Sequence, residues 1–160
     1  LADVEVRKIT ELEPQWFSAR DIRLVLLDFD NTIVPYTTDV PTAEMTAWLD
    51  RMKQTDITVC IVSNSHKDRV PRFCQERGLD CITHAKKPFS KGILECLAKY
   101  DIPAKNAALV GDQIYTDTLG ANCVGVTSIL VSAINNHNFW LKARHVLELP
   151  FILPAKKRRI

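Results

Sequence analysis

Acidic, hydroxyl and amine side chains follow four apolar segments of the chain, in a pattern suited to phosphoryl transfer. Two carboxylates, Asp28 and Asp30, come directly after the first of these segments. A carboxylate can attack phosphorus and form an aspartyl-phosphate. A second carboxylate two positions on can protonate the leaving alcohol and later deprotonate the attacking water. The spacing therefore indicates phosphate-ester chemistry with a covalent intermediate.

The later segments supply the other groups that this chemistry needs. Ser63 and Asn64 follow the second segment, Lys87 lies after the third, and Asp112 and Asp117 follow the fourth. Carboxylates gathered in one place repel each other and the phosphate, and a hard cation such as Mg²⁺ relieves that repulsion through oxygen ligands. A hydroxyl and a lysine can then hold the remaining phosphoryl oxygens as negative charge shifts.

The apolar segments themselves are typical of buried strands in a parallel sheet. Strands are predicted over residues 23–29, 57–62, 81–83, 107–110 and 128–131. Helices are predicted over residues 42–55, 67–77, 90–100, 116–122 and 139–147. Strands without polar alternation, separated by helices, predict a three-layer α/β/α fold with a mainly parallel five-stranded sheet. Because ligands bind beyond the carboxyl ends of such strands, we expect the polar groups at one edge.

Length and charge indicate a single domain with a basic tail. The chain has 160 residues, 46% hydrophobic and 25% charged, which suits one domain over residues 1–150. The net charge of +2 depends on four basic residues at positions 156–159 of the tail 151–160, because the body carries 17 of the 21 basic residues against 19 acidic ones. A slightly acidic body argues against general nucleic-acid binding. No apolar run approaches the roughly 20 residues of a membrane span.

Cysteine usage predicts a reducing, cytoplasmic environment. The chain has five cysteines, an odd number, and they form no C-x-x-C pair. We therefore expect mostly buried thiols rather than disulfides or a zinc site. Since the chain begins at Leu1 and has no signal-peptide pattern, we expect a short N-terminal segment to precede it.

The four polar segments together resemble the four motifs of the haloacid dehalogenase (HAD) superfamily of phosphatases. The matching stretches are residues 27–34, 62–65, 85–88 and 111–117. They are most similar to the YqeG-like, subclass IIIA branch, which includes proteins similar to the phosphatidylglycerophosphate phosphatases of mitochondria and plastids. The resemblance covers residues 9–149 and implies a HAD-like Rossmannoid fold and hydrolysis of phosphoric monoesters.

The resemblance also implies roles in catalysis and phosphate binding. Asp28 corresponds to the nucleophile and Asp30 to the general acid/base. Ser63 corresponds to the phosphate-binding hydroxyl, with Asn64 beside it. Lys87 corresponds to the lysine that neutralises the nucleophile and the phosphoryl group, and its Lys-Pro pairing favours it over the lysine that precedes it.

A Mg²⁺ site is implied by the same comparison. Its ligands would be the carboxylates of Asp28 and Asp112 and the backbone carbonyl of Asp30. Asp117 would act through metal-bound water or position the lysine, and Thr32 would support the turn after the first strand by hydrogen bonding.

Each residue alone also has a structural interpretation. Asp28 or Asp30 could be a turn residue at a strand end, and Ser63 and Asp112 could cap the following helices. The occurrence of four motifs in order favours the catalytic interpretation. The alternatives outside the enzyme class are a non-catalytic phospho-switch and an interaction scaffold.

The segment lengths predict a site without a cap domain. Residues 33–41 fill the gap after the first motif, far fewer than the roughly 50 that a domain needs. An open site favours a large or lipid-linked phosphate, so the substrate hypothesis is a phosphatidylglycerophosphate-like headgroup at a membrane surface. A soluble sugar, nucleotide or protein phosphate is the alternative. The basic tail could bind an anionic membrane, at about 1 kcal/mol per basic residue, or be a solvated terminus.

Overall fold

The computed structural model describes residues 1–65, 68–85 and 90–134. The strands are β1 (Val4–Val6), β2 (Leu24–Leu27), β3 (Thr58–Val62), β4 (Asp80–Ile82), β5 (Ala107–Gly111) and β6 (Thr127–Val131). The helices are α1 (Pro14–Ser18), α2 (Ala43–Lys53), α3 (Arg69–Arg77), α4 (Lys91–Tyr100) and α5 (Leu119–Val124). A π-helix, Ile114–Thr118, runs directly into α5, and short 3₁₀ turns cover Ile9–Glu11 and Ala104–Asn106.

The six strands form one parallel sheet in the order β1-β6-β5-β2-β3-β4. Strand β2 lies between β3 and β5, and its last residue, Leu27, is in register with Ile61 and Val110. The carboxyl ends of these three strands are therefore level with one another. The segments that leave them meet at the same edge of the sheet, as the sequence predicts.

Helices cover both faces of the sheet, which confirms the three-layer α/β/α class. Successive residues of β2 point to opposite faces. Val25 belongs to a core that includes Trp48 of α2 and Phe73 of α3. Leu24 belongs to a second core that includes Ile93 of α4. All four positions of β2 are buried, which explains why its sequence lacks polar alternation.

The prediction of five strands is wrong, because the described chain contains a sixth, β1. This strand pairs with β6, with Val4 beside Ile129 and Val6 beside Val131. It has only three residues, and its middle residue, Glu5, is exposed. A short edge strand of this kind has no apolar run to mark it, and only its pairing with the distant β6 identifies it.

The other elements predicted within the described residues are present with small shifts at their ends, and the fourth helix is divided. Residues 116–122 were expected to form one helix, whereas the chain forms the π-helix Ile114–Thr118 and then α5. The helix predicted over residues 139–147 and the tail 151–160 lie outside the described residues. Within the described part of the chain, no helix is long and apolar enough to span a membrane.

The five cysteines are free thiols, as expected from their number and spacing. Cys60, Cys74 and Cys96 are buried, Cys81 is half-buried and Cys123 is exposed.

Candidate active site

Asp28 lies where β2 ends, beside the end of β5. Its backbone N–H donates to the Val110 carbonyl at 2.8 Å, so the pairing of the two strands continues up to the site. The Asp28 side chain is buried. Because β5 ends one residue before Asp112, the two carboxylates come from neighbouring strands at the same edge.

Three buried carboxylates meet at this point. Asp28, Asp112 and Asp117 each offer an oxygen, and the three oxygens lie within 4.8 Å of one another. Burying like charges at such short range is unfavourable unless a cation neutralises them. Carboxylate oxygens are the ligands that hard divalent cations take, so this donor set fits a divalent metal ion. Asp117, for which the sequence predicts a supporting role, belongs to the same group as Asp28 and Asp112, the two predicted carboxylate ligands.

A glycine and a π-helix bring Asp117 into this group. A Cβ atom on Gly111 would lie 2.2 Å from Asp117 Cγ, so only glycine leaves room for this carboxyl. The Asp117 carboxylate accepts a hydrogen bond from the backbone N–H of Gln113 at 3.2 Å. The wide π turn that follows, closed by the bond from Thr118 N to Gln113 O at 3.2 Å, holds Asp117 towards the strand ends.

Ser63 lies at the end of β3 and is buried. Its hydroxyl oxygen accepts from Ser65 N at 3.1 Å, which bends the chain immediately after the strand. Helix α3 begins only at Arg69, with Asp68 at the N-cap position, so Ser63 does not cap it. Asn64 is exposed. The capping interpretation of Asp112 is also wrong, because Gln113 and Thr118 occupy the N-cap positions of the helical turns that follow it.

Lys87 falls outside the described residues, but the chain on either side of it is described. Ala85 N donates to Ser63 O at 3.1 Å, and Gly92 N of α4 donates to Ala85 O at 3.2 Å. A Cβ atom on Gly92 would lie 2.5 Å from the Ala85 Cβ. This close packing holds Ala85, two positions before Lys87, next to Ser63.

The side chain of Asp30 forms an ion pair with Arg69 of α3. Its Oδ1 accepts from Nη1 of Arg69 at 2.6 Å. Arg69 was not singled out by the sequence, because it is one of several arginines in a helix and its partners lie 30 or more positions away. Gly111 lies in the matched stretch 111–117, but its close approach to Asp117, like that of Gly92 to Ala85, has no local signal in sequence.

Thr32 is expected to support the turn after the first strand by hydrogen bonding. Its hydroxyl is buried and has no hydrogen-bond partner within the described chain. The turn is held by Asn31 instead, which adopts a φ of +59°. Asn31 N donates to Val34 O at 2.7 Å and Asn31 Oδ1 accepts from Tyr36 N at 3.2 Å. Asparagine tolerates this left-handed conformation better than most residues, so Asn31 is suited to hold the turn.

The chain is similar in sequence to known phosphatases. A family model described as mitochondrial PGP phosphatase matches residues 1–134. The Bacillus subtilis protein named probable phosphatase YqeG is 30% identical over 159 residues, which are 99% of this chain and 92% of that protein. A glyceraldehyde 3-phosphate phosphatase from Pyrococcus furiosus is 25% identical over 128 residues, covering 74% of this chain and 50% of that protein.

Solved structures show the same fold at low sequence identity. A structure described as a HAD superfamily (subfamily III A) hydrolase from Legionella pneumophila has a TM-score of 0.58 at 13% identity, covering 79% of this chain and 71% of that one. The cobalt-bound deoxy-D-mannose-octulosonate 8-phosphate phosphatase YrbI from Haemophilus influenzae has a TM-score of 0.57 at 13% identity, covering 81% and 89%. The sheet and its helices are therefore those of the HAD hydrolases.

Proposed function

Because the chain belongs to the mitochondrial PGP phosphatase family, within the HAD superfamily, we propose that this phosphoric monoester hydrolase uses Mg²⁺ and forms an aspartyl-phosphate on Asp28. The observation that carries the proposal is the buried group of Asp28, Asp112 and Asp117, with oxygens within 4.8 Å. When bound, Mg²⁺ would neutralise these carboxylates and attract the phosphate dianion.

The residues of the chain would then divide the reaction into two steps. In the first, the Asp28 carboxylate attacks phosphorus and the bond to the leaving oxygen breaks, while Asp30 gives that oxygen a proton. In the second, Asp30 takes a proton from water while the water oxygen attacks phosphorus and the bond from phosphorus to Asp28 breaks, which releases inorganic phosphate and restores the Asp28 carboxylate. The Ser63 hydroxyl, Asn64 and the Lys87 ammonium would hold the phosphoryl oxygens as charge moves.

The proposed substrate is a phosphatidylglycerophosphate-like lipid headgroup. The family match over residues 1–134 supports this class. The described chain between β2 and α2 forms no helix and is too short for a cap, so a bulky phosphate can approach the strand ends. We further propose that residues 1–150 form one phosphatase domain and that the tail 151–160 helps to hold it on an anionic membrane.

The mechanism is tested with Asp28→Asn, using Asp50→Asn on the exposed side of α2 as the matched control. We expect Asp28→Asn to lose Mg²⁺-dependent phosphate release while its circular dichroism spectrum stays that of the wild type, and Asp50→Asn to keep the wild-type rate. Undiminished turnover by Asp28→Asn would reject the aspartyl-phosphate.

The substrate is tested separately with the wild-type protein in mixed micelles. We expect faster hydrolysis of phosphatidylglycerophosphate than of soluble sugar phosphates, nucleotides or a phosphopeptide. If soluble phosphomonoesters are hydrolysed and the lipid is left intact, the lipid hypothesis fails while the proposed mechanism stands.

A further inference from the structure

Arg69, the first residue of α3, makes a dense set of contacts at the edge of the proposed site. Its guanidinium donates from Nη1 to Asp30 Oδ1 at 2.6 Å, from Nε to Asp39 Oδ1 at 2.6 Å and from Nη2 to the Thr38 carbonyl at 2.8 Å. The Arg69 side chain is only 15% exposed, unusually little for an arginine near a surface. Every nitrogen of the guanidinium therefore has a defined acceptor.

Two aromatic rings lie close to the same guanidinium. Its central carbon lies 5.0 Å from the centroid of the Phe29 ring and 5.9 Å from that of Tyr36, within the range of cation–π contacts. Phe29 in turn packs edge-on against Phe73 of α3, with centroids 5.1 Å apart. Arg69 is thus held by its own helix, by the residue before Asp30 and by the following loop.

These contacts tie helix α3 to Asp30 and to the loop that follows it. Asp30 belongs to the segment that leaves β2, two residues after Asp28. Residues 36–39 form the loop that runs from this segment towards α2, and Arg69 holds its backbone through Thr38 and its side chain through Asp39.

We propose that Arg69 is a positioning residue for the phosphatase reaction: it fixes the Asp30 carboxylate and the loop 36–39 beside it, so that Asp30 meets the leaving oxygen. The inference rests on the proposed function, in which Asp30 is the acid/base. It assigns no contact between Arg69 and the substrate. Lysine cannot replace this arrangement, because an ammonium lacks the planar fork that reaches three acceptors at once.

Leaving-group dependence provides the test. The leaving oxygen of an alkyl phosphate needs a proton, whereas p-nitrophenolate departs without one, so only the alkyl ester depends on a well-placed Asp30. The quantity to be measured is kcat/KM, because it reports the step that breaks the ester bond. The two substrates are p-nitrophenyl phosphate and glycerol 3-phosphate. The variants are Arg69→Met and Arg69→Lys, and the control is Arg72→Met, an exposed arginine of the same helix.

We expect Arg69→Met to lower kcat/KM for the alkyl phosphate about 100-fold, the cost of a misplaced catalytic group, and to lower it less than 10-fold for p-nitrophenyl phosphate. Arg69→Lys should show the same selective loss, and Arg72→Met should match the wild type on both esters. An equal loss on both esters indicates a merely structural role and overturns the inference, as does no loss. If Arg69→Met does not fold, Arg69→Lys decides by the same criteria.

Asp30→Asn separates this inference from the proposed function. We expect Asp30→Asn to show the same preference for p-nitrophenyl phosphate. The double variant with Arg69→Met should lose little more kcat/KM for the alkyl phosphate, because both substitutions disable the same group, the Asp30 carboxyl. A selective loss in Asp30→Asn without one in Arg69→Met overturns only the inference. No selective loss in Asp30→Asn removes the acid/base role of Asp30, and the inference falls with it.

Discussion

Gly111 and Asp117 approach so closely that a methyl group on residue 111 would lie 2.2 Å from the Asp117 carboxyl carbon. Glycine at the end of β5 is therefore a condition for the three-carboxylate group, since any other residue would push Asp117 away. The metal affinity and the activity that we propose for the site both depend on a residue that carries no functional group.

Gly111→Ala should therefore remove activity by displacing Asp117. We expect kcat to fall at least about 100-fold, as for other small displacements of a site group, when phosphate release is measured in Mg²⁺. The matched control is Gly78→Ala at the end of α3, where φ is +62° and the Cβ would have open space. It should lose about 1 kcal/mol of stability from backbone strain and keep its activity. Normal activity in Gly111→Ala would contradict the crowding argument.

The three buried carboxylates should make stability depend on divalent metal. We expect Mg²⁺ at 100 times its Kd to stabilise the wild type by about 2.7 kcal/mol, measured by thermal unfolding against EDTA. Asp117→Asn should unfold at a higher temperature than the wild type in EDTA, because it removes one of three repelling charges, and should gain less from Mg²⁺.

Asp50→Asn serves as the control for that experiment, because it removes a carboxylate that is exposed on α2. It should unfold like the wild type in both EDTA and Mg²⁺. Identical behaviour of Asp117→Asn and the wild type would mean that Asp117 does not belong to a metal site.

Asp80 in the edge strand β4 predicts a small pH dependence of stability. A hydrogen bond from Tyr100, together with Lys99 at 3.2 Å, holds the pKa of Asp80 below its ordinary value of 3.8. A carboxyl with a lower pKa in the folded state stabilises the fold above its unfolded pKa, and this contribution disappears as the pH falls through the folded value. Urea unfolding should show Asp80→Asn less stable than the wild type at neutral pH.

The size of this effect is limited because about half of the Asp80 side chain is exposed, and exposed pairs contribute at most about 1 kcal/mol. Below the folded pKa, Asp80→Asn and the wild type should have the same free energy of unfolding. A constant difference across the whole pH range would show that the carboxylate charge is not its source.

The cysteines should differ in reactivity according to burial. Cys123 is exposed, whereas Cys74 is buried and its pKa is raised by that burial. A thiol reagent should therefore label Cys123 first in the folded protein, and Cys74 only on unfolding. Replacing Cys123 by serine should remove the fast phase of thiol labelling, and Cys81→Ser should leave this phase intact. A fast phase that survives in Cys123→Ser would contradict the prediction.

The basic tail 151–160 predicts salt-sensitive binding to anionic membranes. Four basic residues near such a surface contribute about 1 kcal/mol each. The chain of residues 1–160 should co-sediment with phosphatidylglycerol vesicles more than the chain without residues 151–160, and the difference should shrink at high salt. Equal binding of the two proteins would show that the tail does not contribute to membrane binding.

Much of the fold follows from local patterns in the chain. The segments that form β2, β3 and β5 are apolar without alternation, because both faces of these strands are covered by helices. That pattern suffices to predict a parallel sheet, and the level ends of its strands bring Asp28 and Asp112 to one edge. The sixth strand, β1, escaped prediction because a half-exposed strand of three residues has no distinctive pattern.

The types and spacing of Asp28, Asp30, Ser63 and Asp112 suffice to predict phosphate-ester chemistry, because each of these residues follows an apolar strand segment. The tertiary structure then sets which of these side chains lie together. It joins Asp117 to the carboxylate group through the space left by Gly111, and it turns Asp30 towards an arginine 39 positions away. The physical reason is packing: the Gly111–Asp117 approach depends on the π-helix between them, and the Asp30–Arg69 pair depends on two segments far apart in the chain, and residue spacing alone specifies neither contact.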